Sequence, residues 1–157
     1  MANLSGLEME YFLIRILKKT KFGGVLSYES LKSLKIDNFP FCVVINSASL
    51  KETSGHWCCI FINKEKNGIF FDSYGIKPWG AIYKFLKEHS TSAIYNLNLL
   101  QNLQTQICGA YVILVLKWLD RGQTLKQILS HFSSKTQLND LLVSRWFAAE
   151  KARLKRL

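Results

Sequence analysis

The run from Ile107 to Leu116 constrains this chain more than any other feature, because ten consecutive residues there are apolar or small. A membrane-spanning helix needs about twice that length, roughly 20 residues. The run therefore predicts a helix over 108–120 that is buried at the centre of a soluble core and ended by Gly122.

Shorter elements are predicted on both sides of this helix. Ser5 and Glu8 form a capping box that begins a helix over 6–19, and Ser27 begins a short helix to about Leu34. Strands are predicted where β-branched and aromatic residues cluster, over 39–45, 57–62, 69–72 and 93–97. Further helices are predicted over 79–89, over 124–132, and from about 136 towards the C-terminus.

The strands lie in the middle of the chain and the helices surround them. The turn 63–68 should join the strands 57–62 and 69–72 into a hairpin. This order predicts an α+β fold, in which a small mixed β-sheet packs on the buried central helix. With 157 residues and no linker, we expect residues 1–157 to form one domain.

Composition indicates an ordinary globular protein, with 48% apolar and 20% charged residues. The N-terminal residues lack the basic, apolar and small-residue pattern of a secretory signal, so we expect an intracellular, reducing compartment. The four cysteines, at positions 42, 58, 59 and 108, should then be thiols rather than disulfides. Cys58 and Cys59 are adjacent, which argues against a zinc site, and no metal or other cofactor is expected for the chemistry.

The net charge of +10 favours polyanionic partners such as nucleic acid, although solubility alone would also explain it. The last predicted helix combines an apolar face with basic residues elsewhere. Its apolar face contains Val143, Trp146, Phe147 and Leu154, and its basic residues are Arg145, Lys151, Arg153, Lys155 and Arg156. Docking of the apolar face is the favoured interpretation over phosphate binding, because a basic stripe alone is weak evidence.

Cys108 stands where the polar stretch 101–106 meets the start of the predicted central helix. A thiol at a helix N-terminus faces unpaired backbone N–H groups and the positive end of the dipole, and both favour the thiolate. Gly109 leaves room beside it for a substrate carbonyl. A buried structural cysteine is the alternative, since free cysteine is common in protein cores. The position makes Cys108 a candidate nucleophile.

His56 is the best candidate base, because it flanks a loop and begins a strand of the predicted sheet, whereas His89 and His131 lie at helix ends. Asp72 ends the next strand of the same hairpin, so we expect its carboxylate beside His56. There it can orient the imidazole and stabilise its charged form. Without His56 opposite, Asp72 would be interpreted as a turn residue.

A side-chain amide before Cys108 can donate a hydrogen bond to an oxyanion, together with the backbone N–H of the nucleophile. Gln101, Gln104 and Gln106 all precede Cys108 and could do so. Their spacing alone does not choose between them.

In chain order, these four kinds of residue resemble the site of the adenovirus-type cysteine endopeptidase (adenain) family, which shares its architecture with the SUMO-releasing Ulp-type proteases. The motifs that carry the resemblance are Ser54-Gly-His-Trp57, Ile69-Phe-Phe-Asp-Ser-Tyr-Gly75 and Cys108-Gly-Ala-Tyr111. Two upstream segments are also similar, Phe22-Gly-Gly-Val-Leu-Ser27 and Phe41-Cys-Val-Val-Ile-Asn46. The similarity spans roughly residues 20 to 118 and implies a catalytic set of His56, Asp72, Gln101 and Cys108.

The family offset selects Gln101, which lies seven residues before Cys108. SUMO proteases place the glutamine one residue closer, where this chain has Asn102. The resemblance also includes activation of adenain by DNA, with which the basic charge is compatible, and by a disulfide-linked peptide. This chain has Ser90 or a neighbour where adenain has the linking cysteine, so the resemblance does not extend to that disulfide.

The resemblance implies a viral, virophage or virus-like-transposon maturation protease that cleaves capsid precursors after glycine-containing motifs. We expect a monomer that acts in the virion and in the cytoplasm or nucleus of the infected cell, away from membranes. Three alternatives remain: a deconjugase for a SUMO- or ubiquitin-like tail, a Cys-His acetyltransferase of related fold, and a basic nucleic-acid-binding domain without catalysis.

Overall fold

A computed structural model describes residues 3–47 and 55–156 of the chain. Its sheet consists of five strands: β1 Lys21–Ser27, β2 Phe41–Asn46, β3 Trp57–Ile62, β4 Asn67–Phe71 and β5 Ser92–Tyr95. The α-helices of the described ranges are α1 Gly6–Ile16, α2 Gly80–His89, α3 Cys108–Asp120, α4 Leu125–Leu129 and α5 Thr136–Lys155. A 3-10 helix, Tyr28–Ser33, follows β1.

The strands lie in the sheet in their order along the chain, β1 to β5. The two central pairings, β2 with β3 and β3 with β4, are antiparallel, whereas β1 and β5 pair in parallel with their neighbours. The sheet is therefore mixed, and the predicted α+β class is confirmed. The hairpin between β3 and β4 also forms as predicted, joined by residues 63–66.

The sheet has a hydrophobic core on each face. One core includes α1, α3 and α5, and the other includes the 3-10 helix and α2. Successive residues of β3 point alternately to these two cores, so Cys59 belongs to the first and Cys58 to the second. Both faces are covered, which explains why β3 is apolar throughout rather than alternating.

Helix α3 lies at the centre of the first core, and its bounds are those predicted from the apolar run. It ends before Gly122, whose φ of 92° is accessible mainly to glycine. No helix in the described ranges is long and apolar enough to cross a membrane.

Three features near the N-terminus differ from what the sequence predicted. Helix α1 begins with the predicted capping box but ends at Ile16 rather than 19, because the backbone N–H groups of residues 18–20 donate to the carboxylate of Asp120. Strand β1 was not predicted, since Gly23 and Gly24 weaken its β-strand pattern. The segment after Ser27 forms a 3-10 helix, and the Ser27 side chain does not cap it.

The long C-terminal helix α5 docks through the predicted apolar face. Val143, Phe147 and Leu154 are buried, and Trp146 packs against the same core. Glu150 of the same helix is also buried and forms ion pairs with Lys117 and Arg153, so part of the basic charge here is neutralised locally.

Candidate active site

The thiol of Cys108 lies at the first residue of α3, at the bottom of a cavity of about 390 Å³. Its side chain is only 3% exposed, and the backbone N–H of Trp57 donates to Sγ at 3.4 Å. The helix N-terminus adds further unpaired N–H groups directed towards this position. A negative charge on Sγ would thus meet donors from both α3 and β3.

His56 and Asp72 meet as the hairpin prediction required, with 2.8 Å between Nε2 and Oδ1. The register of β3 and β4 pairs Cys59 with Phe71, and its continuation sets His56 opposite Tyr74. Asp72 is then the diagonal neighbour of His56 on the same side of the hairpin. Tyr74 donates its backbone N–H to the same Oδ1 at 2.7 Å, which holds the carboxylate in place.

The electrostatic surroundings of His56 favour the imidazolium. Burial alone lowers the pKa of His56, but hydrogen bonds and charge attraction from Asp72 and Cys108 outweigh burial and raise the pKa to about 9. Because Nε2 is bonded to Asp72, Nδ1 is the ring nitrogen left for Cys108. The histidine therefore bridges the carboxylate and the thiol.

The carboxylate of Asp72 is fully buried and only partly satisfied. Its Oδ1 accepts the two hydrogen bonds from His56 and Tyr74, whereas its Oδ2 has no partner among the described residues. Asn96 holds the Asp72 backbone, accepting from its N–H at 3.2 Å and donating to its carbonyl at 2.7 Å. A buried carboxylate with spare acceptor capacity is well suited to stabilise a positive charge beside it.

Tyr74 covers one face of the His56 ring. The two rings are stacked with centroids 4.4 Å apart and planes inclined by 17°. The hydroxyl of Tyr74 also approaches the carbonyl of Thr105 at 3.4 Å, so this residue joins the hairpin to the loop before Cys108. Tyr74 was not among the predicted site residues, although the hairpin register indicates it as the residue opposite His56.

Gln101 occupies a different place from the one its predicted role requires. Its side chain is fully buried and outside the cavity lining. Its Oε1 accepts from Ser73 at 2.6 Å, and its Nε2 donates to the Thr105 carbonyl and hydroxyl at 3.0 and 3.2 Å. The competing candidates Gln104 and Gln106 do line the cavity. The structure thus brings His56, Asp72 and Cys108 together but leaves Gln101 engaged elsewhere, and the oxyanion role of Gln101 stays a prediction.

The two other histidines lie away from the cavity. His89 ends α2 and packs against Phe85, and His131 packs against Trp118. The cavity lining also includes Asn3, which no sequence motif indicated and whose Oδ1 lies 3.8 Å from the Cys108 thiol.

No family model and no curated protein matches this sequence. Solved structures do match. A crystal structure of the ASFV pS273R protease has 14% identity and a TM-score of 0.66, covering 90% of this chain and 67% of that one. A second crystal structure of that protease is covered over 57% of its length.

Two further structures match over most of this chain. The SUMO protease Ulp1, with its catalytic cysteine oxidised to a sulfonic acid, has 18% identity and a TM-score of 0.56, covering 93% of this chain and 76% of that one. The central domain of the uncharacterized Lpg1148 protein from Legionella pneumophila has 13% identity and a TM-score of 0.53, covering 97% and 99%. This chain therefore has the Ulp-like cysteine protease fold.

Proposed function

We propose that the chain is a cysteine endopeptidase that cleaves viral structural precursor proteins after glycine-containing motifs. The observation that carries the proposal is the placement of His56 between the buried carboxylate of Asp72 and the thiol at the start of α3. The fold shared with known proteases supports it. In this proposal the protein acts as a monomer in the virion and in the cytoplasm or nucleus of the infected cell.

In the proposed reaction the proton of the Cys108 thiol first moves to His56, as the raised pKa of the imidazole favours, and Sγ then attacks the scissile carbonyl carbon. A C–S bond forms, and the carbonyl π electrons move to oxygen as an oxyanion. When the oxyanion collapses, the C–N bond breaks and the imidazolium of His56 protonates the leaving amine. Water then hydrolyses the thioester with His56 as base, which restores the thiol. Asp72 keeps the ring oriented and stabilises its charged form throughout.

The oxyanion needs preorganised donors. The backbone N–H of Cys108 is one, and the sequence motif assigns the amide of Gln101 as another. For Gln101 to act, its amide would have to leave Thr105, to which it donates two hydrogen bonds.

Narrow access to the thiol supports glycine on the acyl side of the cleaved bond. Cys108 is 3% exposed and lies between His56 on one side and Asn3 on the other. A side chain on the carbon next to the scissile carbonyl would have to enter this gap, whereas glycine has none.

The test compares the wild type with Cys108→Ala on internally quenched peptides that contain an apolar-x-Gly-x-Gly sequence. We expect cleavage by the wild type, none by Cys108→Ala, and unchanged circular dichroism. Cys42→Ala is the matched control, because Cys42 is a buried thiol of β2 outside the cavity. Equal cleavage by Cys108→Ala and the wild type would reject the proposal.

A deconjugase is the second candidate, favoured by the fold shared with the SUMO protease Ulp1. Probes that end in Gly-Gly and carry a folded SUMO- or ubiquitin-like modifier distinguish the two. A kcat/KM for such a probe well above that for the free peptide of the same tail sequence would replace precursor cleavage with deconjugation.

We also propose DNA as an activating partner, supported by the net charge of +10 and by the end of α5. Lys151, Lys155 and Arg156 are exposed there, and none of them forms an ion pair with the residues that the structure describes. Binding should weaken steeply with salt concentration, and replacing Lys151 and Lys155 by alanine should reduce the slope of log K against log salt by about two. Absence of binding at low salt would reject this partner.

A further inference from the structure

We infer that Asn3 is a catalytic residue whose side-chain amide donates to the oxyanion formed at Cys108. The inference rests on the proposed peptidase function and assigns a role that the sequence motifs give to Gln101. It starts from a single contact, the 3.8 Å between Asn3 Oδ1 and Cys108 Sγ.

Among the carboxamides that line the cavity in the described part of the chain, namely Asn3, Gln104 and Gln106, Asn3 is the one whose side chain contacts Cys108 Sγ. It lines the cavity beside His56 and Cys108, and its amide nitrogen makes no hydrogen bond within residues 3–47 and 55–156. In Gln101, by contrast, both polar atoms are engaged and the side chain is fully buried. An oxyanion donor must be free in the resting site and close to the sulfur that attacks, and Asn3 meets both conditions.

Leu4, the residue after Asn3, contacts residues next to both His56 and Cys108. The indole N–H of Trp57 donates to the carbonyl of Leu4 at 2.8 Å, and Trp57 follows His56 directly. Leu4 also packs closely over Gly109, where an added Cβ would lie 3.2 Å from Leu4 Cβ and 2.9 Å from Met9 Sδ. Trp57 and Gly109, which follow His56 and Cys108 in the chain, thus hold Leu4 in place, and this keeps the neighbouring Asn3 beside the thiol.

The contact in the resting site uses the oxygen of Asn3, which lies 3.8 Å from Sγ and can accept from it when Sγ carries a proton. When Sγ has attacked and a negative oxygen stands beside it, rotation of the Asn3 amide presents Nδ2 instead. Oxygen and nitrogen of a carboxamide have nearly the same size, so this exchange needs no movement of the backbone. The Cys108 N–H and Asn3 Nδ2 then donate to the same oxygen.

The test measures Asn3→Ala on a quenched glycine peptide that the wild type cleaves, together with the rate of alkylation by iodoacetamide. Loss of an oxyanion donor should lower kcat by about 100-fold and change KM by less than about threefold. Alkylation forms no oxyanion, so its rate should stay within about twofold of the wild type. Asn3→Asp should be slower than Asn3→Ala, because it adds a negative charge beside the oxyanion.

The matched control is Asn38→Ala, the same change at an exposed asparagine before β2 and outside the cavity, which should leave kcat unchanged. If kcat of Asn3→Ala stays within about threefold, or if alkylation falls as much as cleavage, the role of Asn3 is rejected. An inactive wild type would instead reject the proposed function, and this inference with it.

Discussion

Two buried aspartates of this protein have opposite hydrogen-bonding states. Asp120, at the end of α3, is 4% exposed and accepts from the backbone N–H groups of Lys18, Lys19 and Thr20, from the Thr20 hydroxyl, and from Arg121. Asp72, directly after β4, is fully buried, and its Oδ2 has no partner in the described part of the chain. Both carboxylate oxygens of Asp120 accept hydrogen bonds, whereas only one oxygen of Asp72 does so.

This difference suggests that Asp120 contributes to the stability of the fold and Asp72 to the proposed chemistry. Burial raises the pKa of Asp120, but its hydrogen bonds outweigh burial and hold the pKa below its ordinary value, so the carboxylate fastens α3 to the end of α1. Asp72 directs its charge to His56, whose pKa it helps to raise. Substitutions at the two positions should therefore affect different measurements.

The largest effect is expected for Asp72→Asn. Loss of the charge that orients and stabilises the imidazolium should lower kcat by about 10⁴-fold, as in other His-carboxylate pairs. Circular dichroism should stay unchanged, since the two side chains have the same shape. Steady-state cleavage of a glycine peptide measures the effect. A kcat within tenfold of the wild type would show that Asp72 does not orient and stabilise His56 during catalysis.

Asp120→Ala should act on stability instead. It leaves three backbone N–H groups at residues 18–20 without their acceptor, which should lower the free energy of unfolding by about 3 kcal/mol. Urea denaturation measures this change. The kcat of the folded fraction should remain that of the wild type, and a selective loss of kcat would erase the contrast between the two aspartates.

The two sites should also affect the pH dependence of stability in different pH ranges, His56 with Asp72 at alkaline pH and Asp120 at acidic pH. The pKa of His56 rises from 6.5 to about 9 on folding, so its stabilisation is complete below pH 6.5 and is lost as the pH rises through 9, up to about 3 kcal/mol. The pKa of Asp120 is lowered, so its contribution is present above pH 3.8 and is lost as the pH falls through its folded value.

Urea midpoints measured from pH 3 to 10 test both slopes. Asp72→Asn should flatten the alkaline slope only, and Asp120→Asn the acidic slope only. A wild-type stability that is constant between pH 6.5 and 9.5 would contradict the raised pKa of His56.

The smallest effect is expected at Tyr74, which stacks on His56. Tyr74→Leu removes the aromatic face and should lower kcat by about tenfold, since such ring contacts contribute about 1 kcal/mol. Tyr74→Phe keeps the ring and should stay within about threefold. The pH profile of kcat should shift in Tyr74→Leu alone, and equal losses in both variants would assign the effect to the hydroxyl instead.

The sequence predicted those parts of the structure that depend on local patterns. Helix α3 and the hairpin followed from apolar periodicity and turn residues, and the hairpin in turn predicted the meeting of His56 and Asp72. Strand β1 was missed because its glycines hide a strand that is held by parallel pairing with β2. That pairing is a tertiary contact, and no local pattern reports it.

The same limit applies to the site. Gln101 has the family spacing, yet its hydrogen bonds to Ser73 and Thr105 depend on how two loops pack, which spacing does not encode. Asn3 lies 105 residues from Cys108 and reaches it only because α1 packs beside α3. Contacts between distant segments determine which side-chain amide lies beside Cys108 with its nitrogen available to donate. These contacts are visible only in the structure.

Three of the four buried thiols lie outside the cavity, so cysteine labelling can report how the protein unfolds. Burial raises the pKa values of Cys42, Cys58 and Cys59, which protects these thiols from alkylation. A brief pulse of maleimide at neutral pH should therefore add one maleimide to each native molecule, at Cys108 in the cavity. A molecule with four adducts has opened completely. Because Cys42 lies in β2 and the other two lie in β3, intermediate counts in a mass spectrum would report which strand separates first.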